Sequence, residues 1–480
     1  MSRKVAWTMQ FPSQWEIIPA KRLFPESKER AQDVDQQLSA TQDYGVIPQA
    51  EFIRLAGRRV VQLNQNFEMR KKVKIDDFVI SMRSFQGGLE RAWANGGIRS
   101  SYVVLRPEKY VRSDYYEYFF KSQDYIQALQ STANFIRDGQ DINYQNFVLI
   151  DLPLPPPAEQ IEISRFLNHE TAKIDALIRE QERLIALLQE KRQAVISHAV
   201  TKGLDPTNSS GTNLNSGSAA GPKGEGTDSP SNVPMKDSGV EWLGEVPAHW
   251  KVLKLNYIAV ERCDGPFGSS IKSEHYVSSG VRVVRLKNIR SGWFNNDDAA
   301  YLDENYYKEN IGRSDVKSGD LLIAGLGDEK NAVGRACVAP NSIEPAMVKA
   351  DCFRFRLNTS VAAPEYFAYQ LSSGAQFDAG YLSTGSTRQR IALLTMAGRV
   401  CVLPPKCEQT QIVKKIQTME SHIDQLVSFA KTSSLLLSER RSALISAAVT
   451  GKIDVRNWQP PADESVFEKE AQQSDMEAAS

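Results

Sequence analysis

What this 480-residue chain has little of narrows the field first. It carries no excess of either charge, since Lys+Arg 58 balance Asp+Glu 58, and a neutral total argues at face value against a nucleic-acid ligand. Its five cysteines, Cys263, Cys337, Cys352, Cys401 and Cys407, form no C-x-x-C and have no matching histidine pair. An odd, scattered set reads as reduced thiols in a cytoplasmic protein, not as a disulfide framework or a zinc site. No apolar run approaches the ~18–20 residues that cross a bilayer. The opening Met1–Trp7 lacks an apolar stretch and a small-residue cleavage site, so export is not expected. A cytoplasmic protein with no membrane partner is the expectation.

Catalytic signatures are missing as well. There is no G-x-x-x-x-G-K-[ST] phosphate loop, no G-x-G-x-x-G fingerprint and no H-E-x-x-H. The histidines, His169, His198, His249, His275 and His422, are scattered and read as surface or packing residues. Glu26-x-Lys28 has a nuclease-like spacing, but the first aspartate is Asp33, so no upstream aspartate could share a metal. Gly327-Asp328-Glu329-Lys330 reads as a solvated loop. No catalytic residue, no metal ligand and no cofactor of its own are assigned to this chain.

What the chain does have is a duplication. Pro155 to Asp205 matches Pro404 to Asp454 without a gap at an offset of 249 residues. Arg192-x-Ala194-x-Ile196-Ser197-x-Ala199-Val200-Thr201 meets Arg441-x-Ala443-x-Ile445-Ser446-x-Ala448-Val449-Thr450. Prolines precede each copy, Glu159 and Glu408 sit where a helix dipole favours anions, and glycine returns only at Gly203 and Gly451. Each copy reads as one helix on the order of 60–70 Å long at ~1.5 Å per residue. Apolar rows at Ile163, Leu167, Ile174, Leu177, Leu184, Leu188 and Val195, and at Ile412, Ile416, Ile423, Leu426, Ser433, Leu437 and Leu444, step by three and four and predict a coiled-coil seam.

Upstream the repeat continues with a drifting offset. Pro12-x-x-Trp15 matches Pro247-x-x-Trp250, Val73-x-x-x-Asp77-x-x-Ile80 matches Val316-x-x-x-Asp320-x-x-Ile323, and Tyr118-Phe119 matches Tyr366-Phe367. Each half is therefore a divergent α+β domain with a modest sheet, followed by a helix that is nearly repeated. Short runs at Phe78–Ile80, Tyr102–Leu105 and Val281–Leu286 are the expected strands. The predicted organisation is a domain over 1–153, a helix over 154–204, a flexible linker over 205–236, a second domain over 237–402, a second helix over 403–453, and an acidic disordered tail over 454–480.

The neutral total conceals a segregation of charge. Glu51 to Arg112 holds thirteen basic residues against six acidic ones. Between Ile271 and Ser291, Lys272, Arg282, Arg285, Lys287 and Arg290 face Glu274 alone, whereas the end of the chain from Gln459 is acidic. Arginine, lysine, glutamine and asparagine supply the donors that anchor phosphates and read base edges. The candidate DNA-contacting residues are Arg70, Lys71, Lys72, Arg83, Ser84, Gln86 and Arg91 in the first domain. In the second they are Lys272, Arg285, Lys287, Asn288, Arg388 and Arg390.

Leu152-Pro153-Leu154-Pro155-Pro156-Pro157-Ala158-Glu159-Gln160 and Val402-Leu403-Pro404-Pro405-Lys406-Cys407-Glu408-Gln409 lead into the helices, and Ala199–Asp205 and Ala448–Asp454 close them. Together with Met235–Gly244 ahead of Pro247-x-x-Trp250, this order resembles the specificity (S) subunit of type I restriction-modification systems, from about Pro12 to Asp454. The resemblance implies two target recognition domains joined by two helices packed as an antiparallel coiled coil with pseudo-twofold symmetry. It implies a non-catalytic subunit whose domains each read one half of a split, asymmetric DNA site, with the helices as a ruler. Its implied partners are double-stranded DNA, two methylation subunits and two restriction subunits, which would bind S-adenosylmethionine, ATP and Mg. In one respect the chain departs from the pattern: Thr207 to Ser231 is an insertion, read as a solvent-exposed loop without effect on specificity. Two other readings stay open. A relative of fused methylating and cleaving enzymes would need an N/D-P-P-Y/F motif, which is absent. A coiled-coil scaffold without DNA specificity would need only the helices.

Overall fold

A chain with this repeat should bury each domain against helix ends instead of around a large sheet, and it does. The computed structural model describes residues 11–57, 69–81, 84–132, 143–204, 233–267, 270–375, 377, 382–383 and 389–461, with backbone alone at Phe85 and Gln86. The insertion 207–231 and the acidic segment 462–480 lie outside the described residues. Two compact units form, one of residues 1–183 with 430–480, the other of residues 184–429. Helices span Pro157–Lys202 and Lys406–Val449, and each contributes its first part to one unit and its last part to the other. Among the described residues no helix is long and apolar enough to cross a membrane.

In the first unit the strands are short. Glu26–Ser27, Val103–Leu105, Phe78–Ile80 and Glu90–Arg91 form a four-stranded antiparallel sheet in that order. Separate pairs join Leu38–Thr41 to Gly45–Pro48, Lys71–Val73 to Gly96–Ile98, and Glu16–Pro19 to Asp151–Leu154. The core is aromatic. Phe24 sits 5.6, 4.9 and 5.2 Å, centroid to centroid, from Phe78, Tyr116 and Phe120, in the edge-on geometry that ring quadrupoles favour. The helix Ser113–Lys121 supplies four fully buried rings of this cluster: Tyr115, Tyr116, Phe119 and Phe120.

In the second unit the same sheet recurs. Ala259–Cys263, Cys352–Leu357, Leu321–Ala324 and Ala336–Val338 repeat the order and the antiparallel pairing of the first. One brace is repeated inside both. Arg106 donates to both oxygens of buried Asp77 at 3.1 and 3.0 Å, and Arg356 does so to buried Asp320 at 2.9 and 2.9 Å. Each aspartate also accepts from a backbone N–H three residues earlier, of Lys74 at 2.9 Å and of Lys317 at 2.8 Å. The second unit then adds a five-stranded sheet, Tyr276–Val277, Tyr301–Leu302, Val281–Val284, Ala346–Val348 and Asp315–Val316, whose Val281–Val284 and Ala346–Val348 run parallel. The strand expected over Val281–Leu286 ends at Val284, where Asn288 turns the chain back by accepting from the Arg285 N–H at 2.8 Å.

The helices are antiparallel within each unit. In the first, Ile163, Phe166 and Leu167 share a core with Ile445, Ala448 and Val449, and Arg441 grips Asp175 at 2.8 and 3.2 Å. In the second, Ile196, Ala199 and Val200 share a core with Ile412 and Ile416, and Arg192 pairs with Asp424. The buried rows correct the predicted seam. Leu177, Leu184 and Leu426 are exposed at 51, 41 and 39%. Ile178, Ile185 and Val427, one residue on, are half-buried instead. The observed rows step by four and three throughout, through Leu167, Thr171, Ile174, Ile178, Gln181, Ile185, Leu188, Arg192, Val195 and Ala199, and through the residues 249 further on. Scoring only apolar residues hid this phase, because Thr171, Gln181 and Arg192 are polar members of the seam.

The repeated signatures are what clasps each domain to the helices. Trp15 Nε1 donates to Glu159 at 2.7 Å, and Trp250 Nε1 donates to Glu408 at 3.1 Å. Gln160 donates to the Pro155 carbonyl at 2.8 Å and accepts from Arg112 N–H at 2.9 Å. Gln409 donates to the Pro404 carbonyl at 2.8 Å and accepts from Ala363 N–H at 2.7 Å. Tyr115 donates to the Val449 carbonyl at 2.8 Å, and Tyr366 to the Val200 carbonyl at 3.0 Å, satisfying carbonyls in the last turn of a long helix. Each helix stops on a left-handed glycine, Gly203 at φ +88° and Gly451 at φ +72°. These bonds also correct one match. Tyr366 is the counterpart of Tyr115, not of Tyr118, and Tyr118 corresponds to Tyr369. The latter two reach the same seam position, Thr171 at 3.2 Å and Glu420 at 2.6 Å. A two-residue identity had placed the helix one turn out of register.

Candidate nucleic-acid interface

The basic strand Lys71–Val73 leaves little of its charge free. Arg70 is 4% exposed and donates to the Asp35 and Gln32 carbonyls at 2.9 and 3.1 Å. Lys72 pairs with Asp35, whose carboxyl this contact and the Gln32 N–H hold below the usual carboxylate range. Lys71 donates to the Tyr102 carbonyl at 2.8 Å. Arg91 stacks 4.4 Å over the half-exposed Trp93 ring while bonding Asp76 at 2.9 Å, Glu117 at 2.9 Å and Asp114 at 2.7 Å. Ser84 is buried, accepting the Ser81 N–H at 2.9 Å. Arg83 and the side chain of Gln86 lie outside the described residues.

In the second unit, Asn288 is fully buried, donating to the Asn295 carbonyl at 2.9 Å. Arg285 and Lys287 share Asp298, with Arg285 at 2.7 Å. Lys272 is exposed, 3.7 Å from Glu274. Arg390 bonds Asp351 at 2.7 Å and stacks 5.1 Å over the Phe267 ring. Beside it, burial pushes Asp264 up to about 6, against the Gly265 N–H that favours its anion. Arg388 lies outside the described residues. The structure therefore gathers Arg285, Lys287 and Asn288 on one turn, places Lys71 and Lys72 on one strand directly after Arg70, and commits Arg70, Ser84 and Asn288 to internal support.

One basic group escaped sequence reasoning. The loop between Leu321–Ala324 and Ala336–Val338 carries Lys330 and Arg335 beside Arg290. It occupies the place in its sheet that the loop with Arg83 and Gln86 occupies in the first unit. The signal was available, because carrying the first candidate loop across the duplication lands on 325–335. Among the described residues no group of His, Cys, Asp and Glu could hold a metal ion.

Two sheet-bearing units, each braced by the start of one long helix and the end of another, define a class of duplicated, helix-clasped chains. The chain is 25% identical over 358 residues to the specificity subunit of the type I restriction enzyme EcoKI from Escherichia coli K12, covering 73% of this chain and 68% of that one. It is 22% identical over 361 residues to the StySPI specificity subunit of Salmonella potsdam, covering 73% and 67%. The fold matches the HsdS subunit from Thermoanaerobacter tengcongensis with a TM-score of 0.51 at 13% identity, over 94% of this chain and all of that one. It matches a chain of a type I R-M system, solved for complex assembly and conformational transition, at 0.59 and 14%, over 93% and 100%. No family model matches the chain. In sequence and in fold, then, the chain is similar to specificity subunits of type I restriction-modification systems.

Proposed function

We propose that this chain is the DNA sequence-specificity subunit of a type I restriction-modification complex, acting in the cytoplasm without catalysis of its own. The observation that carries the reading is the duplicated clasp: the same tryptophan, glutamate, glutamine and tyrosine bonds fix both units to the same two helices. A reader built twice suits a target of two half-sites, and two domains with unlike outer loops suit half-sites of unlike sequence. The continuous helices would meter the gap between them.

The proposed DNA-contacting set is Lys71, Lys72, Arg83, Gln86, Arg91, Lys272, Arg285, Lys287, Arg388 and Arg390. The ion pairs that hold the exposed members are worth ~0–1 kcal/mol, so a DNA phosphate can replace the carboxylate at little cost. Arg70, Ser84 and Asn288 would act by holding the loops that present them. Partners would be double-stranded DNA with two methylation and two restriction subunits, which would supply S-adenosylmethionine, ATP and Mg. Exposed apolar residues flanking the seam in the second unit, Leu184, Leu187 and Phe429 among them, offer those subunits a surface.

A heptad inserted at equivalent positions in both helices tests the reading, because it lengthens them by ~10 Å while keeping the seam in phase. Mapping of methylated bases should then return the same two half-sites with a gap about three base pairs longer, at ~3.4 Å per base pair. An unchanged gap would defeat the ruler. A wild-type complex with its methylation partner that binds all sequences alike would leave only the scaffold.

A further inference from the structure

The second unit holds a cavity of about 240 Å³ lined by Arg290, Trp293, Lys330, Arg335, Ser373 and, from the first long helix, Gln193. Three lining residues are cations, and no carboxylate lines it among the described residues. Asp328, in the same loop as Lys330, is turned into that loop, where one oxygen accepts the backbone N–H groups of Lys330 at 2.9 Å and Asn331 at 2.8 Å. Arg335 is 5% exposed, yet among the described residues its guanidinium meets only carbonyls, of Ile289, Leu286, Ala332 and Leu326, at 2.9 to 3.2 Å. Burying a cation without a counterion is costly, and burial pulls this arginine below its ordinary range. Among the described residues exposed Lys330 makes no ion pair, and the Arg290 side chain meets the Asn331 amide oxygen alone, at 2.8 Å. Ser373 is 6% exposed, and its Oγ has no hydrogen-bond partner among the described residues.

A buried charge held by backbone alone, two further cations at the mouth and an unused hydroxyl form a preorganised oxyanion site. We propose that this cavity binds a phosphate group, and that in the working complex it takes a backbone phosphodiester of the bound DNA. Lys330 and Arg290 would supply charge at the rim, Ser373 a hydrogen bond, and Trp293 a wall. Because Gln193 belongs to the long helix, a phosphate seated here is registered against the ruler as well as against the reading domain. The DNA source rests on the reading above; the phosphate chemistry does not.

The test uses the full chain with its methylation subunit. In the double variant Arg290→Gln with Lys330→Gln, Arg335 and the fold are left intact, which thermal melting verifies. Binding to the cognate duplex should weaken about tenfold, with the slope of log K against log salt reduced by about one to two, and the methylated sequence should stay the same. Inorganic phosphate is the second probe, read as a rise in melting temperature. Phosphate protection of the wild type that the double variant loses, with DNA binding unaltered, would keep the oxyanion site and reassign its ligand to a free phosphate. A folded double variant matching the wild type in DNA affinity, salt slope and phosphate response would overturn the proposal. A wild-type complex without sequence preference would strike the family reading and leave the phosphate arm standing.

Discussion

The two units agree where they hold and differ where they would read. Trp15 and Trp250, Glu159 and Glu408, Gln160 and Gln409, Tyr115 and Tyr366, and the Asp77–Arg106 and Asp320–Arg356 braces coincide bond for bond. The antiparallel pair ahead of each long helix also recurs, Glu16–Pro19 with Asp151–Leu154 and Lys251–Lys254 with Val400–Leu403, but beyond these the units differ: the first adds the pairs Leu38–Thr41 with Gly45–Pro48 and Lys71–Val73 with Gly96–Ile98, the second a five-stranded sheet with a parallel pair. Divergence has been free to act on loops because the clasps, not the loops, carry the assembly of helix and domain.

The heaviest blow to that common frame is removal of its tryptophans. Trp15→Ala and Trp250→Ala should each cost about 3–5 kcal/mol, since both rings are buried and each also bonds a helix glutamate. Urea melts of the two variants measure this, and a loss confined to one of them would show that the frame is not shared. Next come the sheet braces. Arg106→Met and Arg356→Met leave Asp77 and Asp320, 2 and 3% exposed, without counterions, and should destabilise by about 3 kcal/mol each.

A smaller effect should separate the units. Burial pushes Glu90 in the first unit up to about 7 against the pull of Lys121, and Ala336 stands at the corresponding edge strand. The folded state thus keeps a proton that the unfolded chain releases near 4.5. The stabilisation is full below pH 4.5 and is lost as pH rises through 7, by about 1–3 kcal/mol. Melts of Glu90→Gln across this range should lose that slope; a slope identical to wild type would assign it elsewhere. The smallest effect should come from the helix pairs. Arg441→Met removes a two-bond grip on Asp175 and should cost about 1 kcal/mol or less, whereas Arg192→Met, whose partner Asp424 is 66% exposed, should cost still less.

Much of this was legible in the linear repeat. Both helices, their proline-led starts and their glycine ends follow from residue type and spacing, as do the strands at Phe78–Ile80 and Val103–Leu105. The seam was partly legible: Leu167, Ile174, Leu188 and Val195 are on it, but polar Thr171, Gln181 and Arg192 broke the apolar pattern and shifted the middle by one residue. The candidate site was the least legible. Basic composition located the right regions, yet it could not distinguish Arg70, spent on two carbonyls, from Lys330, which faces a cavity.

By itself, then, the sequence determined the plan: one domain-plus-helix unit used twice, with charge hidden in a neutral sum. Local propensity and periodicity act over neighbouring residues, so they are written in the order of the chain. Tertiary structure alone decided which tyrosine is equivalent to which, which face of each helix is seam, and which cations are struts. Those depend on partners up to 334 residues away, as in the Tyr115 bond to Val449. Where a buried arginine finds only carbonyls, as Arg335 does, folding has placed a charge that no local pattern could announce.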